Sequence, residues 1–283
     1  MTPGSNPEAI VQLAVNIIVL SAIYALIACG YVLIYRVSRV LNLAHGELMM
    51  LGSYLMLTTA WLLAANPFTA IACAIGLSLV VGAAVLTTVA LGILLRGLMV
   101  LIWSGQQQYP AQALRFANPA LVLPWGARIS TFAALLVVTT ALVYAALFIF
   151  LRFGRWGVRM RAAGQNPLLA AQRGINLHAI YALAWSLSTL TGSIAGMLIS
   201  LDSGLTQSMV TVGLKAFPAA LVGGLDSLVG AVFGSLIIGA AEVLSIQYID
   251  PLLSDVAPFA VLLVMLIVRP WGLFGTREEL DRV

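Results

Sequence analysis

Charge is scarce in this sequence: of 283 residues only 8% are Asp, Glu, Lys or Arg, against 61% that are hydrophobic. Soluble domains carry about a quarter charged residues. A chain of this length folding in water would need a polar skin over its core, and fourteen basic and ten acidic residues do not supply one. That shortage excludes a soluble enzyme, a nucleic-acid reader and a disordered tail. The net charge of +4 does not revive nucleic acid, because such a face needs clustered Lys and Arg on a soluble module. Lys215 is the one lysine, and the arginines punctuate apolar runs, as membrane-topology signals do. Cysteine is nearly absent too. Cys29 and Cys73 lie within apolar stretches and make neither a disulfide framework nor a metal site.

Catalytic motifs are also missing. A P-loop ends in Gly-Lys-Ser/Thr, whereas Lys215 follows Leu214. No His-Glu-x-x-His pair and no Gly-x-Ser-x-Gly elbow occurs. The chain is therefore not expected to be an enzyme or to hold a cofactor, and any ATP that drives it is bound by another chain.

What the sequence has in abundance is long apolar runs, and a crossing helix needs about 20 such residues. Ala9 to Tyr35 is free of charge and stopped by Arg36 and Arg39. No basic residue precedes it, so it reads as an uncleaved span. Leu48 to Leu95 is also uncharged and too long for one helix, with Asn66-Pro67 the natural turn. Phe68 to Trp103 would run roughly 54 Å as one helix, so two short crossings joined near Gly82 to Thr88 fit better. Ser104 to Arg128 is polar and proline-broken, a loop. Ile129 to Leu151, His178 to Leu201, Met209 to Leu225, Leu228 to Gln247 and Val256 to Val268 read as further spans. These add up to an all-α, polytopic transmembrane bundle of about eight to nine apolar segments, some short or re-entrant, in one domain over residues 1–283.

Orientation follows from arginine. Arg152, Arg155, Arg159, Arg161 and Arg173 share one loop with no acid, which places it in the cytoplasm. The Arg36–Arg39 loop and the Arg269–Arg282 tail join it only if Phe68–Trp103 crosses twice. The N-terminus is then outside and the C-terminus cytoplasmic.

Two places stand out for function. Asn42, His45 and Glu47 form the densest polar cluster within apolar chain. Ionisable groups so placed face a cavity or a partner, or Glu47 simply favours a helix N-terminus. Arg96 and Glu242 are the other deep ionisable residues, and Arg96 has the option of snorkelling. In the basic loop, Asn166 suits an N-cap and Pro167 the first helical position, and Gly174 suits the stop. A helix of roughly 10 Å there is marginal alone, so it is expected to dock on something.

Gly30-Tyr31-Val32-Leu33-Ile34-Tyr35 followed by Val40 to Glu47 resembles the signature of permease subunits of bacterial branched-chain amino acid ABC importers, of the LivH type. The match continues through Arg161–Pro167, Gly174-Ile175-Asn176, Lys215-Ala216-Phe217, Gly223-Gly224-Leu225, Gly230-Ala231 and Val268–Gly275. The resemblance implies an inner-membrane complex in which two permeases, this chain and a copy or paralogue, line a path. Two cytoplasmic ATPases would power it, and a periplasmic binding protein would deliver the amino acid. Asn166, Pro167, Ala170, Ala171 and Gly174 then match the coupling helix that seats in an ATPase groove, and Asn42, His45, Glu47 and Arg96 become expected path residues. Permeases for urea or short amides share the His-Gly-Glu cluster, and a self-sufficient channel or ion-coupled carrier is the reading from another class. The sequence departs from the family where relatives carry a basic loop between the third and fourth spans: Val80 to Leu91 has no charge.

Overall fold

The computed structural model describes residues 7–63, 66–84 and 89–276. The chain is almost wholly helical: α1 (Pro7–Ser38), α2 (His45–Leu63), α3 (Pro67–Ala84), α4 (Val89–Trp103), α5 (Pro110–Ala113), α6 (Thr131–Phe153), α7 (Arg155–Gln165), α8 (Pro167–Gln172), α9 (Leu177–Ser203), α10 (Met209–Gly223), α11 (Leu228–Tyr248) and α12 (Ala257–Val268). Four of these, α1, α6, α9 and α11, are long and apolar enough to cross a bilayer, and α3, α4, α10 and α12 are shorter apolar helices. Caps set several boundaries. Ser130, Asn176 and Ser227 each accept a first-turn N–H, starting α6, α9 and α11. The expected spans match these helices to within a few residues, and α3 begins at Pro67. The joint between α3 and α4, at residues 85–88, and the tail beyond Thr276 lie outside the described residues.

Two segments carry more structure than their sequence suggested. Between α4 and α6 lie α5 and a small antiparallel hairpin, β1 (Ala120–Val122) with β2 (Arg128–Ser130). The basic stretch after α6 is helical before α8 is reached. In α7, Gly157, Met160 and Ala163 are buried, a spacing that puts them on one face, and the arginines take the rest. This amphipathic pattern is short and interrupted by glycine, so charge density masks it in the sequence.

At the centre, α1 packs on α6, α9, α10 and α11, while α9 also packs on α2 and α3. Most of α1 from Ser21 onward is buried, whereas α6, α12 and the outer faces of α3 and α4 show Leu, Ile, Val and Phe, the surface a bilayer requires. Among the described residues most arginines, Arg36, Arg39, Arg152, Arg155, Arg159, Arg161, Arg173 and Arg269, lie toward one end of the bundle, called here the basic end. Arg128 sits at the other, beside Gln12. At the basic end the Arg39 guanidinium donates to Asp226 at 2.8 Å and Thr276 donates to the same carboxylate. Residues 273–274 fold back so that Leu273 N donates to Val222 O (2.9 Å) and Phe274 N to Gly223 O (3.0 Å). These are carbonyls that the end of α10 leaves open.

Candidate functional site

Helices α2 and α10 do not start at the ends of the bundle. His45 Nε2 lies 3.2 Å from Ile27 O, about three turns, or roughly 16 Å, short of the end of α1. Tyr31 donates to Gly213 O at 3.2 Å, at a similar depth along α10. The segments leading in, 39–44 from the basic end and 204–208 from the far end, are thus largely non-helical backbone, of which Asn42, Ala44, Gly204 and Leu205 are buried in the bundle. Such backbone is tolerated at membrane depth only where protein or water satisfies it. Here Asn42, 1% exposed, accepts from Ala44 N at 3.1 Å, and Leu205 exchanges two backbone hydrogen bonds with Gln108.

The two first turns cross directly on one another. A Cβ on Gly213 would stand 2.5 Å from Gly46 Cα, and one on Gly46 would stand 3.0 Å from Val210 O. Only glycine at both positions permits that approach. Beside the crossing His45 is fully enclosed. The Ile27 carbonyl only accepts, so Nε2 carries the proton and Nδ1 faces the Ser188 hydroxyl at 3.4 Å. Tyr31 lies 4.7 Å from the imidazole and 5.4 Å from Phe217, centroid to centroid.

The expected path residues therefore separate. Asn42 and His45 lie in the break between α1 and α2. Glu47, in the first turn of α2, is partly buried next to Gly92 of α4, and among the described residues its Oε2 finds no hydrogen-bond partner, nor does Asn42 Nδ2. Arg96 stands one turn beyond Gly92, exposed on α4, in no ion pair among the described residues.

A second polar layer was barely visible in the sequence. Glu242 of α11, 5% exposed, accepts from the Tyr24 hydroxyl of α1 and from Lys215 Nζ of α10 at 2.8 Å. The same Lys215 Nζ meets Asp255 at 2.7 Å, in the turn before α12. Depth in an apolar run marks Glu242, but Tyr24 and Glu242 are 218 residues apart, and no local pattern joins them to Lys215 and Asp255. Among the described residues no group of three His, Cys, Asp or Glu could hold a metal ion.

At the basic end α8 forms as its capping residues require. The Asn166 side chain accepts from Leu169 N at 3.0 Å, and Pro167 occupies the first turn. Gly174 has φ 78°, with Gly174 N bonded to Ala171 O and Ile175 N to Ala170 O, a Schellman stop. Ala170 is buried against the chain itself, whereas Leu168, Leu169 and Ala171 are exposed. The outward face thus carries Leu168, Leu169 and Ala171, with Ala170 turned inward.

The family described as "Branched-chain amino acid transport system / permease component" matches residues 13–266. The chain is similar to the high-affinity branched-chain amino acid transport system permease protein LivH of Salmonella typhimurium, 33% identical over 95% of this chain and 96% of that protein. It is similar to LivH of Escherichia coli at 32% identity over the same shares, and to the permease protein BraD of Pseudomonas aeruginosa at 28% over 96% and 97%.

Proposed function

The chain belongs to the family of permease components of branched-chain amino acid transport systems, and from that premise we propose that it is the membrane-spanning permease of an ABC importer that carries branched-chain amino acids. The family match across residues 13–266 is the observation that carries this reading. The chain acts as one permease domain without chemistry of its own. It works with a second permease, two ATPases and a periplasmic binding protein in a bacterial inner membrane, its N-terminus outside and its basic end cytoplasmic.

The geometry supports a division of labour. Helix α8 presents Leu168, Leu169 and Ala171 to an ATPase groove, held rigid by Asn166, Pro167 and Gly174, while Ala170 anchors it to α7 and α9. The mid-depth starts of α2 and α10 resemble in kind the broken helices that transporters use near the membrane middle. Asn42 and Glu47 then border the path on the basic side, His45 holds the break in register, and Arg96 lies on the outer wall of α4.

The test is reconstitution with both ATPases and the binding protein in liposomes, followed by labelled L-leucine uptake. ATP-dependent leucine uptake is expected. ATP-dependent uptake of urea in its place would assign the short-amide reading, and solute flux without ATP a channel or carrier. Single cysteines at Gln107 and Gln165, in a chain lacking Cys29 and Cys73, check orientation. Gln107→Cys should react from outside and Gln165→Cys only after permeabilisation; reaction of both from one side overturns the topology.

A further inference from the structure

Charge at membrane depth faces either protein or water, and the Lys215 layer does both. Its inner half is sealed: Glu242 is 5% exposed and bonded to Tyr24 and Lys215. Its outer half is open, because the Asp255 side chain that takes the other bond from Lys215 is 80% exposed.

The neighbourhood repeats the signal. On α10, Lys215 follows the exposed Thr211, and Thr211 follows the exposed Ser208, a spacing of three and four residues that forms one stripe. Bilayer-facing surfaces elsewhere in this chain look different. Helix α6 shows Val138, Leu142 and Ile149 on its outside, and α12 shows Leu263, Val264 and Ile267. A stripe of Ser, Thr, Lys and Asp at the same depth is out of place against lipid and in place against water.

Resting on the permease reading, we propose that Ser208, Thr211, Lys215 and Asp255 form a wall of the translocation path that takes the zwitterionic head of an amino acid. Its carboxylate bonds Lys215 and its ammonium bonds Asp255. The two holds on Lys215 are unequal in the way this exchange needs. The buried contact with Glu242 keeps the ammonium charged and in place, while the exposed contact with Asp255 is the weak kind that water and ions loosen. A zwitterion inserted between Lys215 and Asp255 replaces one ion pair by two and leaves no charge alone. Leu214, beside Lys215, and Phe259, four residues after Asp255, are 43% and 47% exposed and give the aliphatic side chain of such a substrate a surface to lie on.

The experiment uses the whole complex in liposomes, with the permease carrying Cys29→Ala, Cys73→Ala and Thr211→Cys. The probe is a membrane-impermeant, positively charged methanethiosulfonate, and Leu142→Cys on α6 is the lipid-facing reference. Thr211→Cys should react at least tenfold faster than Leu142→Cys. L-leucine with binding protein and ATP should slow that reaction several-fold, and modification should stop leucine uptake. In parallel, Asp255→Asn should lower uptake per inserted complex at least tenfold, and Asp255→Glu should restore most of it. A complex that transports leucine while Thr211→Cys reacts no faster than Leu142→Cys, or while Asp255→Asn transports normally, overturns the head-group site and leaves the permease reading standing. A wild-type complex that moves no amino acid removes both.

Discussion

His45 and Lys215 both lie near the middle of the bundle, each on a helix that begins there. His45 is enclosed, with both ring nitrogens engaged by Ile27 and Ser188. Lys215 is gripped from inside by Glu242 and from outside by an exposed Asp255. One layer solves a packing problem: two helix starts must meet where no water can complete their hydrogen bonds, and neutral groups do that at least cost. The other keeps three charges at the same depth, which only access to water or a charged visitor makes worthwhile. Polarity inside a membrane protein is therefore not one signal. On the proposed reading, which groups are sealed and which are open on one side separates scaffold from path.

Removing the sealed partner of the charged layer should have the largest effect. Glu242→Ala leaves Lys215 with the exposed Asp255 alone, and breaking a buried pair costs about 3–5 kcal/mol. Thermal unfolding of purified protein should show that loss, and a change below about 1 kcal/mol would erase the difference between inner and outer contacts. His45→Leu should come next. It strands the Ser188 hydroxyl, at about 1–3 kcal/mol, while the Ile27 carbonyl keeps its bond within α1, with uptake per folded complex near normal. A tenfold fall in uptake per folded complex would move His45 from scaffold to path.

Substitutions far from both layers sharpen the contrast. Asn166→Ala should cost about 1 kcal/mol through the lost cap of α8 and weaken leucine-stimulated ATP hydrolysis, leaving Thr211→Cys as reactive as before. Altered reactivity there would mean that the basic end and the charged layer are not separable. Arg96→Gln should be the quietest, within about 0.5 kcal/mol, because its side chain is exposed and makes no ion pair among the described residues. A marked loss of uptake would instead place α4 on the path.

How far the sequence could be read depended on the range of the interaction. Charge-free runs located α1, α6 and α9, and a run broken only by Glu242 located α11, because hydropathy is local. Asn66-Pro67 and Asn166-Pro167 marked helix starts for the same reason, through capping and the missing proline N–H. The mid-depth starts of α2 and α10 were not legible. The glycines that allow them, Gly46 and Gly213, are ordinary residues in a chain with 25 glycines until the fold brings them together. Lys215 and Asp255 escaped likewise, since their meeting depends on how α10, α11 and the turn before α12 pack.

The return of residues 273–274 onto the end of α10 also sets an order of events during synthesis. The carbonyls of Val222 and Gly223 receive their donors from Leu273 and Phe274, which leave the ribosome about 50 residues later. At about 5–20 residues per second, these two carbonyls wait roughly 3–10 s for their donors, while the turn's own bonds, such as Ser227 N to Gly224 O, can close at once. During that interval the end of α10 lacks these two bonds, and chains stopped short of Leu273 would keep both carbonyls open.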